Sequence, residues 1–96
     1  MGAAAARHAR TVLGHVEQIL AIELLCAAQA LDLRLAQMDA AGSAAVPGEG
    51  VAEAHRRIRE RVAPLGDDRE PGPDLAAMLA LVHAGVVADL AVDSPR

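Results

Sequence analysis

Apolar residues recur at helical spacing through the first third of the chain. Leu13, Val16, Leu20, Leu24, Ala27 and Leu31 form one stripe, and Val12, Ile19, Cys26 and Leu33 form a second beside it. Arg7, Arg10, Glu17, Gln18, Gln29 and Asp32 share the remaining arc, with Leu25 among them. This pattern predicts a helix from about Ala3 to Leu33 with a wide apolar surface and a narrow polar strip. Its densest part is V-E-Q-I-L-A-I-E-L-L-C-A-A-Q-A-L-D-L-R-L, Val16 to Leu35. A helix apolar over so much of its circumference is normally buried among others, in its own chain or in partner chains. At about 1.5 Å per residue it would span roughly 46 Å. A compact domain of about 100 residues is only roughly 33 Å across. The helix must therefore break, with Gly14 the natural place, or project into something else.

After it the pattern changes. Residues 39–50, D-A-A-G-S-A-A-V-P-G-E-G, are small and Gly-bearing and read as a flexible linker. Val51 to Val62 reads as a second helix, with Val51, Ala54, Ile58 and Val62 on one face, Leu65 continuing it, and Glu53 and Arg57 paired at i,i+4. Residues 64–73 hold three prolines and cannot be helical throughout. A third helix follows, with Pro73 in its first turn, Asp74 near its positive end, and Leu75, Met78, Leu79, Val82 and Val86 as its stripe. Gly85 is placed to end or loosen it, and the tail from Asp93 is polar and expected to fray. There is no strand pattern and no internal repeat. The expected fold is all-α: a long apolar helix of central-bundle type over 1–38, a linker over 39–50 and a two-helix segment over 51–96.

Composition limits what these helices can do alone. The chain has 96 residues and is 53% hydrophobic, yet it contains no Phe, Tyr or Trp. Alanine favours helix but buries little area, so bulk for a private core is scarce. Net charge is −4 and all nine basic residues are Arg, a balance with no general attraction to nucleic acid or anionic membrane. Cys26 is the single cysteine, which excludes an internal disulfide. Glu23, Gln29 and Asp32 interrupt the best apolar run, so no membrane span is expected. Met1 to Arg10 is Arg-bearing and acid-free, but reads as the first turns of the long helix rather than a transit peptide. A cytoplasmic location is the default.

Few residues suggest chemistry. Glu23 falls on the apolar side of the first helix, and its i±3 and i±4 neighbours Ile19, Leu20, Cys26 and Ala27 cannot pair with it. A buried carboxylate there needs a cation or donors from elsewhere, or a proton. It reads as a structural pair with an Arg of another helix or subunit; the alternative is a catalytic acid or base. Cys26 reads as an inert buried thiol rather than a nucleophile. His8 and His15 lie seven apart, two turns along one face, and no Cys/His cluster supports zinc. His55 and His83 border apolar stripes and read as satisfied edge histidines. Arg56, Arg57, Arg59 and Arg61 are interleaved with Glu60 and preceded by Glu53, which suits an ion-paired face better than a phosphate-binding one. No phosphate loop, dinucleotide fingerprint or nucleophile elbow is present.

The string A-I-E-L-L-C-A-A-Q-A-L-D-L-R, Ala21 to Arg34, following M-G-A-A-A-A, resembles the C-terminal helical part of the histidine and aromatic amino-acid ammonia-lyases. A-H-R-R-I-R-E-R-V-A-P-L, Ala54 to Leu65, is similar to a later family segment of the type V-R-x-x-V-P-x-L. Asp68, Arg69, Pro73 and Asp74 match a D-R-x-x-x-P-D pattern before the last helix. Residues 36–50 depart from the family, which has a Pro-Leu turn and a short connection there.

The resemblance implies a fragment of a helical-bundle enzyme that eliminates ammonia from histidine, phenylalanine or tyrosine. The family's electrophile, methylidene-imidazolone, forms from Ala-Ser-Gly, which is absent; Gly42-Ser43-Ala44 has a different order. Met1 corresponds to the last residue of the family's Q-E-D-H-V-S-M motif, so no catalytic, cofactor-binding or metal residue is carried onto this chain. The family assembles as homotetramers through long C-terminal helices in a shared bundle. The expected role is therefore structural: packing against the rest of the enzyme or identical subunits, with no activity of its own. The alternatives are a subunit of a split ammonia-lyase and a freestanding helical interaction module.

Overall fold

A computed structural model of the chain describes residues Gly2 to Leu90. It contains three helices among those residues: α1 over Gly2–Ala40, α2 over Glu49–Arg59 and α3 over Gly72–His83. No strand occurs among the described residues, as the pattern predicts. The expected fraying from Asp93 lies outside them.

Helix α1 does not break at Gly14. Alanine, leucine and glutamate around it are strong helix formers, and one exposed glycine costs only about 1 kcal/mol against them. The 39 residues of α1 account for most of the molecule's longest dimension of 61 Å. The radius of gyration is 16.4 Å, against about 12–13 Å for a compact chain of this length. Projection, not breakage, resolves the excess length.

Helix α2 starts two residues before the predicted Val51 and ends at Arg59 rather than Val62. Pro64 disfavours helical backbone at the residue before it, yet the Val62 amide still donates to the Ile58 carbonyl at 2.9 Å. Val62 therefore stays on the apolar face and is 2% exposed. Glu49 stands in the first turn of α2 and Arg56, Arg57 and Arg59 in its last, matching the helix dipole at both ends. In α3, Pro73 and Asp74 take the first-turn places expected of them.

Both α2 and α3 fold back on the second half of α1. Their common core is small: Ala21 and Ala28 of α1, Ile58, Val62, and Met78 and Leu81 of α3. Leu24, Leu25, Leu79, Val82, Val86 and Val87 pack around it, partly buried.

The face of α1 that does this packing corrects the sequence reading. Ala21, Ala28, Leu25, Gln29 and Asp32 turn toward the other helices, and three of these five were assigned to the polar arc. Two small alanines let the helices approach closely. Most of the bulky surface stays outside: Leu13, Val16, Ile19, Leu20 and Leu33 of the stripes, and Ile22, are each more than 40% exposed, while Leu24 packs against the core. The chain exposes 7057 Å², roughly 1,850 Å² more than a compact monomer of this mass.

Candidate functional site

A polar clasp joins α1 to α2 and to the segment that follows it. One turn of α1 presents Gln29 and Asp32, and one turn of α2 presents His55 and Arg59. The Arg59 guanidinium donates to the Asp32 carboxylate through Nε at 3.0 Å and Nη2 at 2.6 Å. His55 Nε2 lies 2.7 Å from the other Asp32 oxygen. Gln29 accepts from Arg59 Nη2 at 3.3 Å and from the Leu65 amide at 2.9 Å, and its own amide donates to the Leu65 carbonyl at 3.3 Å. Partial burial would raise the Asp32 pKa, but the hydrogen bond and charge of Arg59, with those of His55, outweigh it and hold the carboxyl below its ordinary 3.8.

Further contacts of Arg56, Arg57, Arg69 and His83 tie the periphery. Arg57 reaches the Val86 carbonyl at 2.5 Å and Glu53 at 3.0 Å, the predicted i,i+4 pair. Arg56 pairs with both Glu53 and Glu60. Hydrogen bonds from Arg56 and Arg57 pull the Glu53 carboxyl down to about 2. Arg69 bridges the Ala63 and Pro64 carbonyls, at 2.6 and 3.2 Å, to Asp74 in the first turn of α3, at 2.9 Å. His83 Nδ1 meets Glu17 at 2.5 Å, fastening the end of α3 to α1.

These groups satisfy each other. The one carboxylate of the clasp, Asp32, is held ionised by Arg59, and a carboxylate so held is a poor proton carrier near neutral pH. The two shifted carboxyls, Asp32 and Glu53, are both moved down rather than toward neutrality. The clasp positions helices; it is not arranged as an acid–base pair. Among the described residues no group of three His, Cys, Asp or Glu side chains could hold a metal ion. No described helix is long and apolar enough to cross a membrane.

The sequence-predicted residues fare unequally. Glu23 is exposed within the chain, not buried, because the flank of α1 that carries it is not the one α2 and α3 cover. Cys26 is exposed for the same reason. His8 and His15 are exposed on the projecting half of α1. His55 and His83 are satisfied as expected, and the arginine run is ion-paired except at Arg61, which has no ion pair among the described residues. Gly42-Ser43 caps α1: the Ser43 amide donates to the Met38 carbonyl at 2.9 Å. The clasp itself was missed at Gln29 and Asp32. The available signal was the i,i+4 spacing of His55 and Arg59 beside Ile58, a polar pair bordering an apolar face that calls for an acidic partner.

Comparison with known proteins agrees with the earlier resemblance. The family model for aromatic amino acid lyases matches residues 1–60. Histidine ammonia-lyase of Symbiobacterium thermophilum is 49% identical over 89 residues, covering 88% of this chain and 15% of that protein. The histidine ammonia-lyase of Anaeromyxobacter sp. strain K is 48% identical over 85 residues, again 88% and 15%. That of Deinococcus radiodurans is 40% identical over 85 residues, 88% and 14%. The chain thus spans about 15% of the length of the curated relatives it matches. No solved structure matches it.

Proposed function

The chain belongs to the aromatic amino acid lyase family, and from that premise we propose that it is the C-terminal structural and assembly part of a cytoplasmic histidine ammonia-lyase-like enzyme. Its partners are the rest of such an enzyme or identical subunits, met through α1. The observation that carries this reading is the uncovered apolar surface of α1. Six large apolar side chains between Leu13 and Leu33 are more than 40% exposed, and a soluble monomer rarely leaves so contiguous a patch bare.

The segment is proposed to be inactive alone. The family's electrophile needs Ala-Ser-Gly, and the nearest sequence, Gly42-Ser43-Ala44, is in another order and is engaged in ending α1. The residues here do not fit that group. The purified 96-residue chain is expected to form an oligomer and to release no urocanate from L-histidine. Urocanate formation by the chain alone would overturn the proposal. Recovery of activity on mixing with a separate chain that contains Ala-Ser-Gly would instead identify one half of a split enzyme. The small core shared by α1, α2 and α3 favours the third reading, a freestanding interaction module. A defined oligomer that neither binds nor activates any lyase chain would select it.

A further inference from the structure

The two connectors of the chain are both exposed, but their backbones are held differently. The second, residues 60–71, is tied down along its length. The Val62 amide donates to the Ile58 carbonyl at 2.9 Å, and the Val62 carbonyl accepts from Arg59 at 3.2 Å. Gln29 of α1 holds the Leu65 amide and carbonyl at 2.9 and 3.3 Å. Arg69 holds the carbonyls of Ala63 and Pro64 at 2.6 and 3.2 Å. The first connector, residues 43–48, is fastened only at its ends. The Ser43 amide closes α1 on the Met38 carbonyl, and the Gly48 carbonyl accepts from the Ala52 amide of α2. Between them Ala44, Ala45, Val46 and Pro47 make no hydrogen bond among the described residues. Nothing covers Val46, which is 85% exposed.

We propose that Ala44 to Val46 is a processing site for an endopeptidase that selects small aliphatic side chains, cut at Ala44–Ala45 or Ala45–Val46. This goes beyond the assembly reading, since it concerns a single chain. A protease takes its substrate extended, with backbone groups free to bond and side chains free to enter pockets. Pro47 keeps Val46 out of helical backbone, and Gly48 is extended at φ −61° and ψ 159°. Ala44 and Ala45 suit a shallow specificity pocket of the elastase kind. Backbone state, not residue type, singles out this place. The same Ala–Ala bonds occur at Ala3–Ala6, Ala27–Ala28 and Ala76–Ala77, but those lie within α1 and α3. A helical bond is cut only after local opening, which the first connector does not need. In the cut, one water adds across the amide: the C–N bond breaks, the carbonyl carbon keeps the oxygen as a new carboxylate, and the nitrogen leaves as an amine. The core and the clasp contain no residue of the connector. After the cut they alone join α1 to α2 and α3, so separation of the pieces becomes concentration-dependent.

Limited proteolysis of the full chain with pancreatic elastase, followed by intact mass over time, tests the site. The expected first cut falls after Ala44 or Ala45 and gives two fragments that account for the whole chain. Ala45→Pro sets a ring between the two bonds and removes an amide that donates to no described residue. It is expected to slow the cut about tenfold or more with helicity unchanged by circular dichroism. A first cut at Ala3–Ala6, Ala27–Ala28 or Ala76–Ala77, or within residues 60–71, would overturn the assignment. So would an elastase-resistant native chain, or a folded Ala45→Pro variant cut at the native rate. If circular dichroism shows that the variant has not folded, the order of cuts in the native chain decides alone.

Discussion

Asp32 shows how one residue ties two elements together. Its carboxylate meets Arg59 and His55 at once, and the Arg59 side chain is only 13% exposed. Replacing Arg59 by Ala leaves a half-buried carboxylate without its main partner, and is expected to destabilise the fold by about 1–3 kcal/mol in urea unfolding. Arg59→Lys should recover only part, since an ammonium cannot span Asp32 and Gln29 as the guanidinium fork does. The clasp also sets an acid limit. The folded-state pKa of Asp32 lies below its ordinary 3.8, so its contribution is complete above that value and is lost as pH falls through the depressed one. Glu53 acts in the same direction between its ordinary 4.5 and about 2. The melting temperature should therefore fall below about pH 4, and Asp32→Asn should flatten that fall. A melting temperature of the native chain that holds level to pH 2 would contradict the assignment. None of this was legible at Asp32 itself, because an acid on a helix wheel shows its angle but not what lies across from it.

Among elements, the helix ends are local backbone events, legible in the sequence at Gly85 but missed at Gly42, because α1 continues past the predicted Leu33 to Ala40, into the stretch read as linker. Gly42 and Gly85 hold left-handed backbone with φ of 83° and 72°. At both ends the glycine amide and the next amide bond back onto the last turn. Gly42 N–H reaches Asp39 O at 2.9 Å, Ser43 N–H reaches Met38 O at 2.9 Å, Gly85 N–H reaches Val82 O at 3.0 Å and Val86 N–H reaches Leu81 O at 3.3 Å. This is the paired closure that satisfies orphan carbonyls at a helix terminus. Gly14 differs, with helical backbone and open space where a Cβ would stand. Gly14→Ala should stabilise the chain by about 0.5–1 kcal/mol and Gly85→Ala should destabilise it by about 1 kcal/mol, opposite signs for one chemical change. Thermal melts of the two variants against the native chain separate these outcomes.

At the scale of the molecule, six buried residues among those described hold three helices together. Met78 and Leu81 are fully buried. Met78→Ala is expected to cost about 2–5 kcal/mol, a large share of what so small a core supplies. Chemical denaturation should show the loss of α2 and α3 docking. Because much apolar surface remains outside the core, stability should also depend on association. The melting temperature of the native chain is expected to rise with protein concentration, as it does when folding and assembly are coupled. A concentration-independent melt would show that α1 stands alone.

The sequence by itself determined the three helices, the approximate ends of α2 and α3, the absence of a large private core and the family. These follow from properties carried by neighbouring residues: 3.6-residue periodicity, proline and glycine punctuation, and a contiguous motif. Only the tertiary structure decided which face of α1 meets α2 and α3. The wide stripes through Leu13, Leu20 and Ile19 marked where α1 wants cover, and the chain instead spends its packing on Ala21 and Ala28, beside polar Gln29 and Asp32. The reason is physical. A hydrophobic pattern states how much surface must leave water, but not which chain removes it, and α2 brings polar His55 and Arg59 that must be met as well. That choice left Glu23 and Cys26 exposed rather than buried. It depends on contacts between residues more than twenty positions apart, which no local pattern records.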